Sequence, residues 1–129
     1  MKMFRYLVIV IGISVMASAA LSATQGTKAS DLLTAKQVNA LVATAKTPAD
    51  HMKLSKHYAA LAARYDAEAN DHEVLAKVYK SGPNAAESKR PGAPDTAVHC
   101  DRLGQLARDA AKEARALAAA HEQMAAEKK

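Results

Sequence analysis

Residues 47–80, TPADHMKLSKHYAALAARYDAEANDHEVLAKVYK, contain no glycine, and their one proline stands at the second position. Thr47 can cap a helix through its hydroxyl, Pro48 suits the first helical position, and Asp50 complements the positive helix end. A Gly-Pro pair follows the stretch and is a strong stop signal. The stretch therefore predicts one uninterrupted helix over residues 48–80, about 50 Å long.

Shorter signals predict a helix on each side of this one. A capping box begins at Thr34, and apolar residues then recur at helical spacing, which predicts a first helix over residues 35–46. Residues 81–94 hold three prolines and two glycines and are expected to form a loop. An Asp-Thr pair can cap a last helix over residues 95–127. No stretch alternates with period two, so we expect an all-α fold, a long antiparallel helical hairpin with a short N-terminal helix.

The N-terminus has the layout of a cleaved signal peptide. Two basic residues precede the apolar run LVIVIGISV, and the small-residue stretch MASAALSA follows it. Cleavage after Ala19 or Ala23 is predicted, which leaves residues 24–129 as a single helical domain in the second case. The apolar run is too short to span a bilayer, so no stable membrane anchor is expected after cleavage of residues 1–23. The expected location is periplasmic or secreted.

Composition and motifs exclude several classes of function. The formal net charge is +5, but the charges are interspersed without long runs of one sign, so nucleic-acid binding is not expected. Alanine is abundant and aromatic residues make up only 4% of the chain, which favours closely packed helices. The sequence has no GxSxG, no P-loop and no glycine-rich dinucleotide turn, so we expect no enzymatic activity.

Polar aromatic residues occupy one face of the long helix, where leucine or valine would be usual. They recur at intervals of seven and are His51, Tyr58, Tyr65, His72 and Tyr79. In an antiparallel hairpin closed by the loop, His51 is expected to face His121 and His72 to face Cys100. The spacing within each helix agrees, because His51 and His72 are 21 residues apart and Cys100 and His121 are also 21 residues apart.

The same register makes further predictions about the seam between the two helices. It places the tyrosines opposite alanines, which indicates that they pack the seam, and it places Leu103 against Ala69. Large side chains thus meet small ones, as a tightly packed seam requires. His57 lies off the histidine face and is expected to point into solvent.

Imidazole and thiolate groups are the usual ligands of zinc and copper, so the facing pairs are candidate metal sites. Each pair supplies only two ligands, and a closed zinc site needs four, so His99, water or a second hairpin would complete it. The candidate cofactors are therefore copper or zinc, and the candidate ligands are His51, His72, His99, Cys100 and His121.

Two other interpretations of the histidine layers remain open. In the first, the protein binds no metal and is a structural, interaction or chaperone-like helical module whose histidines set packing and register. In the second, the histidines form an interface that responds to pH. The expected partner is a second copy in a homodimer, giving a four-helix bundle, or another exported protein.

The spacing of these residues resembles a family pattern. The pattern covers Thr47 to Ala125. It reads TPADHxxLxxHYxxLAxxY, then HxxLAxxY, a Pro/Gly loop, HCxxL and EAxxLAxAHxxMA. This pattern is similar to a group of small uncharacterised exported bacterial helical proteins. The resemblance implies an exported helical protein and no particular activity.

Overall fold

The computed structural model describes residues 28–83, 85–89 and 95–127, and the predicted signal peptide lies outside these ranges. After a 3-10 turn at Ala29–Asp31, the described chain forms α1 (Ala35–Thr44), α2 (Pro48–Ser81), α3 (Ala85–Ser88) and α4 (Thr96–Glu127). The described residues contain no strand, and α2 packs along α4. The predicted all-α helical hairpin is confirmed.

The helix boundaries differ slightly from the predicted ones. α1 ends two residues earlier than expected, α2 ends one residue later and α4 begins one residue later. α3 lies within the segment that was expected to be a loop, so that prediction is wrong for Ala85–Ser88.

Side-chain caps fix where α1 and α2 begin. The amide of Gln37 donates to the Thr34 hydroxyl, and the amide of Thr34 donates to the Gln37 side chain at 2.8 Å. At the start of α2, the amide of Asp50 donates to the Thr47 hydroxyl, and the Asp50 carboxylate accepts from the amides of Thr47 and Lys46. Both capping boxes satisfy amides that have no partner within the helix. Because the second box begins at Thr47, α2 starts soon after α1 ends.

A carboxylate marks the beginning of α4. The amide of Val98 donates to the Asp95 carboxylate at 3.2 Å, and the amide of His99 donates to the Asp95 carbonyl oxygen. Of the two residues that could cap this helix, Asp95 is therefore the cap.

The faces that α2 and α4 turn to each other consist of small residues at intervals of seven. These buried residues are Ser55, Ala62, Ala69 and Ala76 on α2, and Ala97, Gly104, Ala111, Ala118 and Ala125 on α4. A strict seven-residue interval keeps one face of a helix toward its partner over many turns. Among the described residues, the largest fully buried side chain is that of Leu54. The hairpin is therefore held by close approach of two backbones more than by bulky core residues.

The backbones of α2 and α4 approach each other closely at Gly104. A Cβ atom at this position would lie 3.3 Å from the carbonyl oxygen of Ala69 and 3.5 Å from the Cβ of His72. The prediction that Leu103 faces Ala69 is wrong, because Gly104 occupies that place and Leu103 is 48% exposed. The sum of positions predicts a level along α4, but it does not tell which of the neighbouring residues Leu103 and Gly104 turns toward α2.

One flank of the seam carries charges of opposite sign on the two helices. Lys80 pairs with Asp101, Glu73 with Arg108, and Asp66 with Arg115. These side chains are roughly half exposed, so each pair contributes at most about 1 kcal/mol of stability. Their main effect is on the register of α2 against α4, because a helix shifted by one turn would lose all three pairs. Within the described residues, no helix is both long and apolar enough to span a membrane.

Gly104→Val tests the close approach directly. The new side chain would meet the backbone of α2, which cannot move without separating the helices. We expect the free energy of unfolding to fall by about 2 kcal/mol or more, measured by urea denaturation. The control is Gln105→Val, which introduces the same β-branched residue at an exposed neighbouring position and should cost no more than about 0.5 kcal/mol. Equal losses in the two variants would show that the backbones do not approach closely.

Candidate functional site

Two histidines meet at the open end of the hairpin, where α2 begins and α4 ends. The Nδ1 atoms of His51 and His121 lie 3.2 Å apart, and the rings are stacked with centroids 5.5 Å apart. His51 is buried and His121 is half-buried. One ring donates its Nδ1 proton to the Nδ1 lone pair of the other, because two neutral imidazoles can share a single proton in this way. The structure thus brings together one predicted pair of ligands.

Tyr58 belongs to the same cluster. Its ring stacks on His121, with an interplanar angle of 5° and centroids 5.7 Å apart. Its other neighbour is His57, whose ring is tilted by 59° at 5.1 Å. The interpretation of the tyrosines as seam packing alone is incomplete, because Tyr58 covers one face of a candidate ligand and restricts the orientation of that imidazole.

His57 is buried, and the prediction that it points into solvent is wrong. Its side chain is only 6% exposed, and its Nδ1 accepts a hydrogen bond from the amide of Leu33 at 3.0 Å. Leu33 lies in the segment before α1, so this bond attaches the N-terminal part of the described chain to α2. The helical spacing of α2 alone could not reveal it, because the donor is a backbone group 24 residues away.

Two histidines at this end, His57 and His121, have pKa values below the ordinary value, which favours their neutral form. Burial lowers the pKa of His57. Burial, with a smaller contribution from the charge of neighbouring His51, lowers the pKa of His121. Neutral imidazole is the form that accepts hydrogen bonds and ligates metal ions. At neutral pH, both of these rings can therefore act as acceptors or ligands.

The second predicted pair, at the loop end, has a different geometry. The Nδ1 atom of His72 is buried and has no hydrogen-bond partner among the described residues, so it does not bond to the sulfur of Cys100. Cys100 is a half-buried free cysteine, and neighbouring His99 is exposed. A buried polar atom without a partner is uncommon in folded proteins. The loop end thus offers an unsatisfied nitrogen, and the open end offers a satisfied pair about 31 Å away, at 1.5 Å per residue.

The arrangement at the open end is compatible with two kinds of chemistry. A separation of 3.2 Å between nitrogens suits a hydrogen bond. It is also close to the distance between two ligand nitrogens on a tetrahedral zinc ion, which is about 3.3 Å for Zn–N bonds of 2.0–2.1 Å. In the part of the chain that the structure describes, no group of three or more histidine, cysteine or carboxylate residues could hold a metal ion by itself. Among the described residues, the open-end pair therefore supplies two ligands.

Comparison with protein-family models, with curated proteins and with solved structures finds no match for this chain. The resemblance to small exported bacterial proteins therefore stays a prediction, and the site is interpreted from its own geometry.

The open-end histidines predict that acid destabilises the hairpin. With folded-state pKa values of His57 and His121 below the ordinary value of about 6.5, the unfolded chain binds protons at a pH where the folded chain does not. The free energy of unfolding should be at its maximum above about pH 7 and should fall as the pH drops below about 6.5. Urea denaturation between pH 5 and 8 measures this dependence.

His57→Asn is the matched variant for the pH dependence. The asparagine carbonyl oxygen can accept from the Leu33 amide in place of Nδ1, and it does not titrate. We expect a smaller loss of stability between pH 7 and pH 5 than in the wild type, whereas His99→Asn, at an exposed histidine, should leave the dependence unchanged. A wild-type stability that rises on acidification would contradict this account.

Proposed function

We propose that the protein is a non-enzymatic exported helical protein that binds a transition metal ion, zinc or copper, through His51 and His121. The observation that carries the proposal is the 3.2 Å separation of two Nδ1 atoms on facing helices. Both atoms are held toward each other by the fold before any ion binds, so little conformational entropy remains to be lost on binding.

The chemistry of the pair favours zinc over copper. The 3.2 Å spacing of the two nitrogens is close to that of two ligands on a tetrahedral zinc ion. Binding would require the ring that donates the hydrogen bond to carry its proton on Nε2 instead, and both rings to turn their Nδ1 lone pairs toward the ion. Linear Cu(I) would need the nitrogens on opposite sides of the ion and therefore a wider seam. Zinc would take its remaining ligands from water or from a second copy, because the described residues around the pair supply no third ligand. Binding would replace the hydrogen bond between the rings, so we expect affinity to fall as acid protonates them.

The loop end is a second candidate ligand set. The buried Nδ1 of His72 without a hydrogen-bond partner in the described residues is the observation that supports it. Cys100 lies three heptads before His121 on α4, as His72 lies three heptads after His51 on α2. A thiolate at this level would suit zinc or Cu(I), and exposed His99 could supply a third group after a rotamer change.

Export is proposed from the N-terminal sequence. The basic residues, the apolar run and the small-residue stretch predict cleavage, and a lone cysteine in an oxidising compartment is consistent with a buried or metal-bound thiol.

The alternative function is a metal-free interaction module. The observation in its favour is that the imidazoles of His51 and His121 already satisfy each other and that Tyr58 already covers His121. In that case the histidine layer serves to set the register of α2 against α4, as buried polar residues do in some coiled coils.

Metal titration distinguishes the two functions. The purified protein is stripped with a chelator and titrated with Zn(II), and under reducing conditions with Cu(I), in competition with a chromophoric chelator. We expect one bound ion per hairpin or per pair of hairpins and at least a tenfold loss of affinity in His121→Ala. His99→Ala is the matched control for the open-end site, because it removes an exposed histidine of the same helix.

Two further measurements make the result decisive. Co(II) bound in place of zinc should show the absorption of a tetrahedral site, and His121→Asn should lose that absorption while its helical circular dichroism is unchanged. Loss of binding in a His72→Ala, Cys100→Ala double variant, with His121→Ala unaffected, would move the site to the loop end. Absence of Zn(II) and Cu(I) binding in the wild type would leave the metal-free function.

Export makes a separate prediction about the N-terminus. The protein recovered from outside the cytoplasm should begin at Ala20 or Thr24, because cleavage is predicted after Ala19 or Ala23. Intact-mass measurement of the recovered protein tests this. An N-terminus that still contains the apolar run would contradict cleavage.

A further inference from the structure

A groove lies between α1 and the first turns of α2. Only three residues separate the two helices in the chain, and the amide of Leu33, just before α1, bonds to His57 of α2. α1 therefore runs back along α2, and the groove between them is open to solvent, with a volume of about 340 Å³. The lining residues are Leu33, Gln37, Ala40, Leu41, Thr44 and Lys53.

The packing of α1 leaves apolar surface uncovered in this groove. None of the residues of α1 is buried, although its apolar residues recur at helical spacing. Leu33 and Leu41 are half-buried, and Ala40 is exposed. Covering such surface with an apolar ligand is favourable, and the volume of the groove lies at the lower end of the range for small-molecule sites. The groove thus fits a small molecule better than a protein partner, whose interface would have to be much larger.

The polar groups of the groove indicate the charge of such a ligand. The Gln37 side-chain oxygen accepts from the Thr34 amide at 2.8 Å, and the Thr44 hydroxyl donates to the Ala40 carbonyl oxygen at 2.9 Å. Both groups are therefore used within α1 and its cap. Lys53 is exposed and forms no ion pair with another described residue. Since it is also the only charged residue among those that line the groove, the groove is complementary to a ligand with a negative charge beside an apolar body.

We propose that the groove binds a small amphiphilic anion, a medium-chain carboxylate, with its chain on Leu33, Ala40 and Leu41 and its carboxylate paired with the Lys53 ammonium. The carboxylate accepts charge-assisted hydrogen bonds from the ammonium, and these are stronger than hydrogen bonds between neutral groups. The small volume favours a short chain over the long tails of a membrane lipid. This site does not rest on the metal proposal, because none of the candidate metal ligands lines the groove.

The experiment is an NMR titration of the purified protein with decanoate, below the concentration at which decanoate forms micelles. We expect a dissociation constant on the order of 0.1 mM, as suits a ligand of this size. The methyl signals of Leu33, Ala40 and Leu41 should shift, and those of Leu106 and Leu117 on α4 should not. Butyrate, which has the same carboxylate and a shorter chain, and decyltrimethylammonium, which has the same chain and the opposite charge, should each bind at least tenfold more weakly.

Variants of Lys53 test the recognition of charge. Lys53→Gln should weaken decanoate binding at least fivefold, and Lys53→Glu should reverse the preference, so that decyltrimethylammonium binds more tightly than decanoate. The matched control is Lys56→Gln, which removes the charge of an exposed lysine on the same helix that does not line the groove and should leave decanoate binding unchanged.

A larger side chain at Ala40 tests the apolar part of the site. Ala40→Phe should fill the groove and abolish decanoate binding with unchanged helical circular dichroism, because Ala40 is exposed. Asn39→Phe adds the same side chain at an exposed position outside the groove and should leave binding intact.

Several results would overturn the proposal. They are an absence of decanoate binding, equal binding of decyltrimethylammonium to the wild type, and a Lys53→Gln variant that binds decanoate as the wild type does. Shifts centred on Leu106 and Leu117 would place the ligand on the exposed apolar residues of α4 instead. Sedimentation of the protein with anionic phospholipid vesicles, in the absence of any binding of free decanoate, would assign the groove to a membrane surface.

Discussion

The close approach of α2 and α4 at Gly104 is the constraint on which the remaining structure depends. The carbonyl oxygen of Ala69 on α2 lies 3.3 Å from where a Cβ atom at Gly104 would stand. Stepping by seven residues from this point places Ala62 level with Ala111, and Ser55 level with Ala118, so small residues meet at each step. The same steps bring the three ion pairs into line and bring His51 to His121 at the open end.

A seam of small residues limits how much apolar surface the hairpin can bury. Alanine and glycine bury little apolar surface, so the two arms gain stability from close packing of backbone atoms more than from large side chains. The larger apolar residues are displaced to the flank of the seam, where Leu106 and others remain half exposed. The metal proposal follows from this arrangement. The narrow seam is what brings the Nδ1 atoms of two imidazoles within 3.2 Å of each other.

The fold and one candidate pair could be predicted because their signals are local or periodic. The hydroxyls of Thr34 and Thr47 cap the helices that the sequence indicates, and the interval of 21 residues correctly matched His51 with His121. The error at Leu103 arose because the sum of positions gives only a level along α4, and at that level the smaller residue Gly104 turns toward Ala69. His57 was missed for a different reason. Its partner is the Leu33 amide, and the spacing of side chains in α2 does not indicate which backbone group a distant segment places beside His57.

A nuclear Overhauser measurement at neutral pH tests directly whether α2 and α4 keep this register in solution. We expect contacts between the Gly104 α-protons and the His72 β-protons, and between the rings of His51 and His121, in the same sample. Contacts from Gly104 to Tyr65 in place of His72, or from Leu103 to Ala69, would mean a shifted register. In that case the close approach at Gly104 would not be the feature that brings the two histidines together.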